Sequence, residues 1–255
     1  QIGYSIVENN YAIEDGGGVF MWSGEAFSCL IRENVAADIG GGTVWGTVRN
    51  NTILNNSSRL AGGCYQSDVG NSIVYYNTAS ISPNISGGSI SYSCVTPLVS
   101  GKGNIMEPPR LSGYRNWRLV PSSPCIDVGG FEFAGGDYDL EDDPRIWGGG
   151  VDMGCDEFYP PGLGGPLAVA VECSADRAVV GTPMAFQCDV DGAPESYVWT
   201  FTDGYSASNT PFVDRTFDAP GVYVATVTAW NPDGTASNSV SVEIFPGYTN
   251  YVSPT

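Results

Sequence analysis

Four times within its first 80 residues the chain writes a short aliphatic run that closes on asparagine: Ser5 to Asn10 (SIVENN), Cys29 to Asn34 (CLIREN), Asn51 to Asn56 (NTILNN) and Ser72 to Asn77 (SIVYYN). The closing residues Asn10, Asn34, Asn56 and Asn77 lie 24, 22 and 21 residues apart. A small-residue triplet follows each of the first three, at Gly16-Gly17-Gly18, Gly40-Gly41-Gly42 and Ala61-Gly62-Gly63. A unit of this length cannot bury its own apolar face, so its copies must stack into a solenoid. The aliphatic stretches are β-branched and too short to repeat as helical turns between glycine clusters, which makes the solenoid β rather than α. Rungs of a parallel β-helix pair main chain to main chain about 4.8 Å apart, so four of them form a rod roughly 20 Å long.

Asparagine at one corner of every rung can stack its amide on the amide of the next rung, and it tolerates a left-handed backbone. Asn10, Asn34, Asn56 and Asn77 are therefore expected to form a structural ladder. Gly17, Gly41 and Gly62 are expected to supply positive φ at the following corner, where a Cβ would clash.

These paired elements, aliphatic-x-x-Asn and Gly-Gly-Ala-aliphatic, resemble the repeats of the polymorphic outer-membrane proteins and of bacterial right-handed parallel β-helix surface proteins. The resemblance covers residues 5 to 77 and implies a right-handed parallel β-helix whose asparagines and glycines are architectural.

From residue 90 to 158 the period is lost, but a second string is present: SYSCV (Ser91 to Val95), GKGNIMEPPRL (Gly101 to Leu111), NWRLVPSSPCIDVG (Asn116 to Gly129) and DLEDDPRIWGGGVDMGCDEF (Asp139 to Phe158). It resembles the closing segment of secreted bacterial β-helix proteins. A solenoid's last rung exposes an apolar core and an unpaired strand edge, and this polar segment is suited to covering them. Asp127, Asp139, Asp142, Asp143, Asp152, Asp156 and Glu157 crowd around Arg145 in the sequence. Three readings stay open: acids paired with the guanidinium or with loop amides, a calcium site centred on Asp139, Asp142, Asp143 and Asp152, or a glycosidase-like carboxylate pair.

Residues 1–158 thus read as the C-terminal part of a β-helix with its closing segment, and the Pro/Gly run at 159–166 reads as a linker. Over 167–246 the pattern changes to longer alternating strands bounded by turns such as Asp191-Gly192 and Asp203-Gly204. That rhythm is expected of an immunoglobulin-like sandwich. Trp199-Thr-Phe-Thr-Asp203-Gly204, followed by Phe217-Asp-Ala-Pro-Gly-Val-Tyr223, resembles the PKD domain family, with Thr202 in place of the family glycine and Arg215 near the position of the usual histidine. The resemblance implies an extracellular spacer or interaction module in which Trp199 and Tyr223 anchor the core and Asp203-Gly204 makes the turn. Residues 247–255 are similar to the lead-in strand of a further β-helix unit, so the chain reads as a segment of a longer modular protein.

The chain carries seven cysteines. Cys173 and Cys188 fall on neighbouring strands of the PKD-like region and are expected to form a disulfide worth about 3 kcal/mol. Cys29, Cys64, Cys94, Cys125 and Cys155 cannot all pair among themselves, and some are expected as small inward-facing hydrophobes.

Twenty-eight acids oppose ten bases, one of them the lone lysine Lys102, for a formal charge of −18. Nucleic acid is excluded as a partner because phosphate binding needs clustered Lys and Arg. The absence of histidine excludes Ser-His and Cys-His chemistry and His-ligated metals. There is no run suited to direct membrane insertion. An acidic surface fits a protein outside the cell, where salt screens the repulsion.

The expected function is that of a non-catalytic, secreted or cell-surface structural and adhesive protein, with no cofactor unless calcium occupies the acidic cluster. Its partners would be neighbouring modules, identical subunits or extracellular glycans, the last on an aromatic face drawn from Trp22, Trp45, Tyr65, Tyr75 and Tyr76. A carbohydrate-active enzyme and a filament or tailspike-like subunit are the alternatives. A lyase would need a base such as Arg32, Arg49 or Arg59 beside Asp38 or Asp68, so convergence of Arg32, Arg49 and Asp38 distinguishes the enzyme from the scaffold.

Overall fold

The computed structural model describes residues 1–113, 117–159, 167–192, 194–231 and 234–247. The chain divides into two units, the first formed by Gln1–Arg110 with Trp117–Tyr159, the second by the region from residue 167 onward with residues 111–113. All regular structure among the described residues is β apart from a short 3-10 turn at Phe131–Phe133. All but Tyr159 of the expected linker at 159–166, and all but Gly247 of the expected lead-in at 247–255, lie outside the described residues.

The first unit is a parallel β-solenoid of four sheets rather than the two strand stretches per rung read from the sequence. Representative strands from one turn are Glu25–Phe27, Leu30–Arg32, Val35–Ala36 and Thr43–Val44, one in each sheet. In the second sheet Val7, Ile31, Ile53, Val74 and Val95 stack in register. In the first sheet Ala26, Val48, Val69 and Ile90 do the same. Together with the buried thiols of Cys29 and Cys64 these rows form the core. Full burial of each Ile or Val stabilises the rod by about 2 kcal/mol.

The corners differ from expectation by one residue. Left-handed φ falls at Asn9, Glu33, Asn55 and Tyr76, each immediately before the ladder asparagine. At the next corner it falls at Gly16, Gly40 and Ala61, not at Gly17, Gly41 and Gly62. The glycines named in the sequence are required for space. A Cβ on Gly41 would stand 2.5 Å from both Gly62 O and Ser57 O, and one on Gly17 would stand 2.6 Å from Gly41 O. The backbone of one rung passes too close to the next to admit any side chain there.

The closing string corrects a second expectation. Its first part does extend the last rung: Val95 N–H donates to Ile105 O (2.9 Å) and Ile105 N–H to Ser93 O (3.0 Å). The remainder lies along the side of the rod as a strap over the corner between the first and second sheets. Gly130 N–H donates to Asn71 Oδ1 (2.7 Å) and Gly135 N–H to Asn50 Oδ1 (2.9 Å). The Ser28 hydroxyl lies within hydrogen-bonding distance of the carbonyls of Gly135 (3.2 Å) and Tyr138 (3.1 Å). On the return limb Arg145 Nη2 donates to Ser28 Oγ (3.1 Å), Cys155 N–H to Thr52 Oγ1 (3.0 Å), and Gly154 N–H to Asn71 O (2.8 Å). Ser28, Asn50 and Asn71 are left-handed corner residues with short polar side chains. Such side chains offer the hydrogen-bonding groups that an adjacent irregular segment needs to satisfy its own buried amides.

The second unit is a sandwich of a three-stranded sheet (Ala168–Cys173, Met184–Asp191, Phe212–Arg215) and a five-stranded sheet (Arg177–Val179, Gly234–Phe245, Gly221–Asn231, Ser196–Phe201, Ser206–Ser208). Met184, Phe186, Cys188 and Val190 alternate inward along one strand, as period-two patterning requires. Cys173 and Cys188 are free thiols, not a disulfide. Their strands are neighbours, but Cys173 lies opposite Phe186 and Cys188 opposite Val171. Such diagonal positions are about 7–8 Å apart, beyond the usual reach of a disulfide.

Candidate functional site

The asparagine ladder is continuous. Asn10 Nδ2 donates to Asn34 Oδ1, Asn34 Nδ2 to Asn56 Oδ1 and Asn56 Nδ2 to Asn77 Oδ1, each at 2.9 Å. Each Oδ1 also accepts the backbone N–H of the asparagine one rung earlier, at 2.9–3.1 Å. The Nδ2 groups of Asn34, Asn56 and Asn77 also reach back to a carbonyl of the preceding rung, those of Val7, Ile31 and Ile53 respectively. A fifth member, Asn84, accepts from Asn77 Nδ2 (3.0 Å) although it lies only seven residues further on. A parallel ladder runs through Asn51, Ser72, Ser93 and Asn104, whose side-chain oxygens accept the N–H groups of Cys29, Asn51, Ser72 and Ser93. Beyond exposed Asn10, these side chains satisfy buried main-chain donors, which is an architectural use.

The repeat arginines do not converge. Arg32 pairs with Glu8 on the second sheet (2.7 Å), Arg49 with Asp68 on the first (3.2 Å) and Arg59 with Asp38 beside the third (2.6 Å). Arg49 also lies over the Phe133 ring of the strap, 4.9 Å from its centroid. Each base is neutralised by an acid from an adjacent rung, and the three pairs stand on different faces.

Within the strap the carboxylates bind amides. Asp139 accepts the N–H groups of Glu141 (2.7 Å), Asp143 (3.0 Å) and Glu157 (3.0 Å). Asp152 accepts those of Asp127 (2.7 Å) and Phe158 (2.6 Å), and Asp156 that of Leu119 (2.8 Å). Glu157 accepts those of Trp147 (2.9 Å) and Asp152 (3.1 Å). Arg145 is buried and donates to Gly154 O, Cys155 O and Ser28 Oγ. Its acidic neighbour is Glu157 at 4.0 Å, not one of the four aspartates singled out with it in the sequence. Asp142 and Asp143 are exposed. Burial pushes the Asp152 carboxyl up to about 6 and that of Glu157 up to about 8, and it raises Asp156 well above the ordinary range. Among the described residues no group of three or more carboxylates or thiols is placed to hold a metal ion.

The expected aromatic face separates into two. Trp22 and Trp45 lie with ring centroids 4.2 Å apart at an interplanar angle of 33°, and Phe20, which the sequence reading missed, meets Trp45 edge-on at 5.3 Å. Trp22 is 79% exposed and Trp45 half-buried. Phe20 directly follows the Gly-Gly strand, as Tyr65 does one period after Val44, and that position was the available signal. Tyr75 and Tyr76 pair at another corner (4.8 Å), with the Tyr75 hydroxyl donating to Met106 O (3.1 Å).

In the sandwich Trp199 is fully buried and its Nε1–H donates to Thr210 O (2.9 Å). Tyr223 is half-buried at the rim, its ring tilted 31° against Phe217 at a centroid distance of 4.2 Å, and its hydroxyl donates to Ala219 O (3.0 Å). Asp203 and Gly204, the latter at φ +91, form the exposed turn. Asp203 pairs with Arg215 (2.6 Å), whose guanidinium lies 4.1 Å from the Tyr205 ring centroid and 5.0 Å from that of Phe201. The arrangement is a pinned loop, held by an ion pair and cation–π contact.

Residues 168–244 match the PKD domain family. Human polycystin-1 is 32% identical over 76 residues, a stretch that is 29% of this chain and 2% of polycystin-1. This chain therefore spans a small fraction of that relative. Among solved structures, the PKD domain of the human VPS10 domain-containing receptor SorCS2 is 17% identical over 41% of this chain and 95% of that one, with a TM-score of 0.28. A structure of carbohydrate-binding modules of promiscuous specificity, from the β-sandwich superfamily, is 20% identical over 34% of this chain and 38% of that one, with a TM-score of 0.31. The sheet topology and the family match over residues 168–244 together make the fold a β-solenoid followed by an immunoglobulin-like PKD sandwich.

Proposed function

We propose that this chain is a non-catalytic structural and adhesive part of a modular protein outside the cell, similar in its solenoid to bacterial surface β-helix proteins. One observation carries the reading. The bases in the solenoid repeats are each paired with an acid across rungs on separate faces, so Arg32, Arg49 and Asp38 do not come together as a lyase would need. The PKD domain supports the modular part of the reading. No helix among the described residues is long and apolar enough to cross a membrane.

The adhesive surface is the Phe20, Trp22 and Trp45 patch, and its ligand is a neutral glycan. Aromatic faces stack on the apolar faces of sugar rings, whereas a net charge of −18 repels acidic polysaccharides. Retention on a panel of insoluble polysaccharides, with assays for reducing ends and unsaturated products, tests both parts. The expected result is retention on a neutral polysaccharide, lost in Trp22→Ala and Trp45→Ala, with no product formed. Polysaccharide cleavage would sink the non-catalytic reading, and retention unchanged in both variants would remove the aromatic patch as the binding surface.

A further inference from the structure

Cys94 and Cys125 come from distant strings in the sequence and meet at the end of the solenoid. Cys94 is on the last strand of the second sheet, paired with Ile73 on one side and bridged to Ile105 on the other. Its thiol donates to Glu107 O at 3.2 Å. Cys125 sits in the Ser-Pro-Cys-Ile-Asp string. Its N–H donates to Ser123 Oγ (3.2 Å), the Ser123 hydroxyl in turn bonds Pro109 O, and its carbonyl accepts from Met153 N (3.0 Å). Contacts to residues 107 and 109 therefore bring the two cysteines together. Both are free thiols in this structure, and they lie beside one another near the Tyr75 side chain. Neither is solvent-exposed.

We propose that Cys94 and Cys125 form a disulfide that fastens the last rung to the start of the strap. The oxidant is a disulfide acting by thiol–disulfide exchange. The Sγ–Sγ bond forms as two electrons and two thiol protons pass to the oxidant, whose own S–S bond breaks to give two thiols. Because both sulfurs are buried, the exchange takes place during folding, before the strap closes over Cys94. The geometry contrasts with Cys173 and Cys188, whose diagonal register keeps them apart. The inference rests on the extracellular reading only for the natural source of oxidant, since disulfides persist in oxidising compartments.

The test supplies the oxidant and so is independent of that reading. The protein is refolded with oxidised glutathione or with dithiothreitol, alkylated and digested without reduction. The expected product carries one Cys94 to Cys125 cross-linked peptide, and refolding with oxidised glutathione raises the melting temperature of the solenoid by about 10 °C over the dithiothreitol sample. That gain should vanish equally in Cys94→Ser, Cys125→Ser and the double variant. If oxidative refolding gives no folded protein, chain folded under reducing conditions is equilibrated with oxidised glutathione in urea near its unfolding midpoint, so that the strap opens and recloses, and is mapped in the same way. Folded, oxidised protein in which both cysteines alkylate, or in which either is linked to a different cysteine, overturns the proposal.

Discussion

Gly42 is shaped around Asn56. A β-carbon on Gly42 would stand 3.2 Å from Asn56 Nδ2 and 2.6 Å from Gly63 O. Gly18 stands in the same relation to Asn34 and Gly63 to Asn77, at 3.0 and 2.9 Å. The glycine and asparagine signals of the repeat are therefore one device, in which the glycine of one rung makes room for the amide of the next. Gly42→Ala is expected to destabilise the solenoid by about 2–4 kcal/mol, because the clash is with backbone and with a fully bonded amide. Chemical denaturation monitored on the solenoid transition checks it, and a loss below 0.5 kcal/mol, on the order of an ordinary surface change, would contradict the interlock.

The ladder predicts a gradient of cost along its length. Asn56→Ala removes the acceptor for Asn34 N–H and Nδ2 and the donor to Ile31 O, all buried. Unsatisfied buried groups cost about 1–3 kcal/mol each, so a loss of roughly 3–5 kcal/mol is expected. Asn10→Ala removes a single side-chain bond at an exposed position and should cost under about 1 kcal/mol. Equal losses at the two positions, measured by urea unfolding, would argue against a cooperative ladder.

The strap should grip more firmly in mild acid. Glu157, buried beside Asp152 and Arg145, and Asp152 itself have folded-state carboxyls raised to about 8 and about 6. Raised folded values mean that the folded state holds more protons than the unfolded one between about pH 4 and pH 8, so stability is present at pH 5 and lost as pH rises. Net acidic repulsion gives the same sign, and Glu157→Gln separates the two. The variant should flatten the dependence of unfolding free energy on pH between 5 and 8, recovering on the order of 1–3 kcal/mol at pH 8. An unchanged slope would assign the pH dependence to surface charge.

In the sandwich the turn at Asp203 depends on Arg215. Arg215→Lys keeps the charge but loses the planar contact with Tyr205 and Phe201, and a loss of about 1 kcal/mol is expected, approaching that of Arg215→Ala. A double-mutant cycle with Tyr205→Leu checks it, since coupling near zero would make the stacking incidental.

How much of this was legible from residues alone can be argued element by element. The second-sheet strands and the asparagine corner were readable because aliphatic periodicity and Asn recur at rung length. The third-sheet strands were not, since Val35–Ala36 and Ser57–Leu60 share no pattern and are held only by their neighbours in the stack. Asn84 escaped because the period breaks before it and only stacking on Asn77 identifies it. The strap was recognised as a string, but its course depends on bonds such as Asn71 to Gly130, 59 residues away, which no local signal encodes. The acidic cluster was visible as composition, while its use as a set of amide acceptors required the loop backbone to be in place.

The strap touches Ser28, Asn50 and Asn71, one corner in each of three successive turns. It therefore measures the solenoid as a gauge block measures a gap. Inserting or deleting a whole turn between Ser28 and Asn71 would preserve every ladder contact yet move the strap's anchor points by about 4.8 Å. Duplication of turns, the ordinary way in which repeat proteins change length over evolutionary time, is thus permitted before Ser28 and forbidden within the three turns that the strap spans.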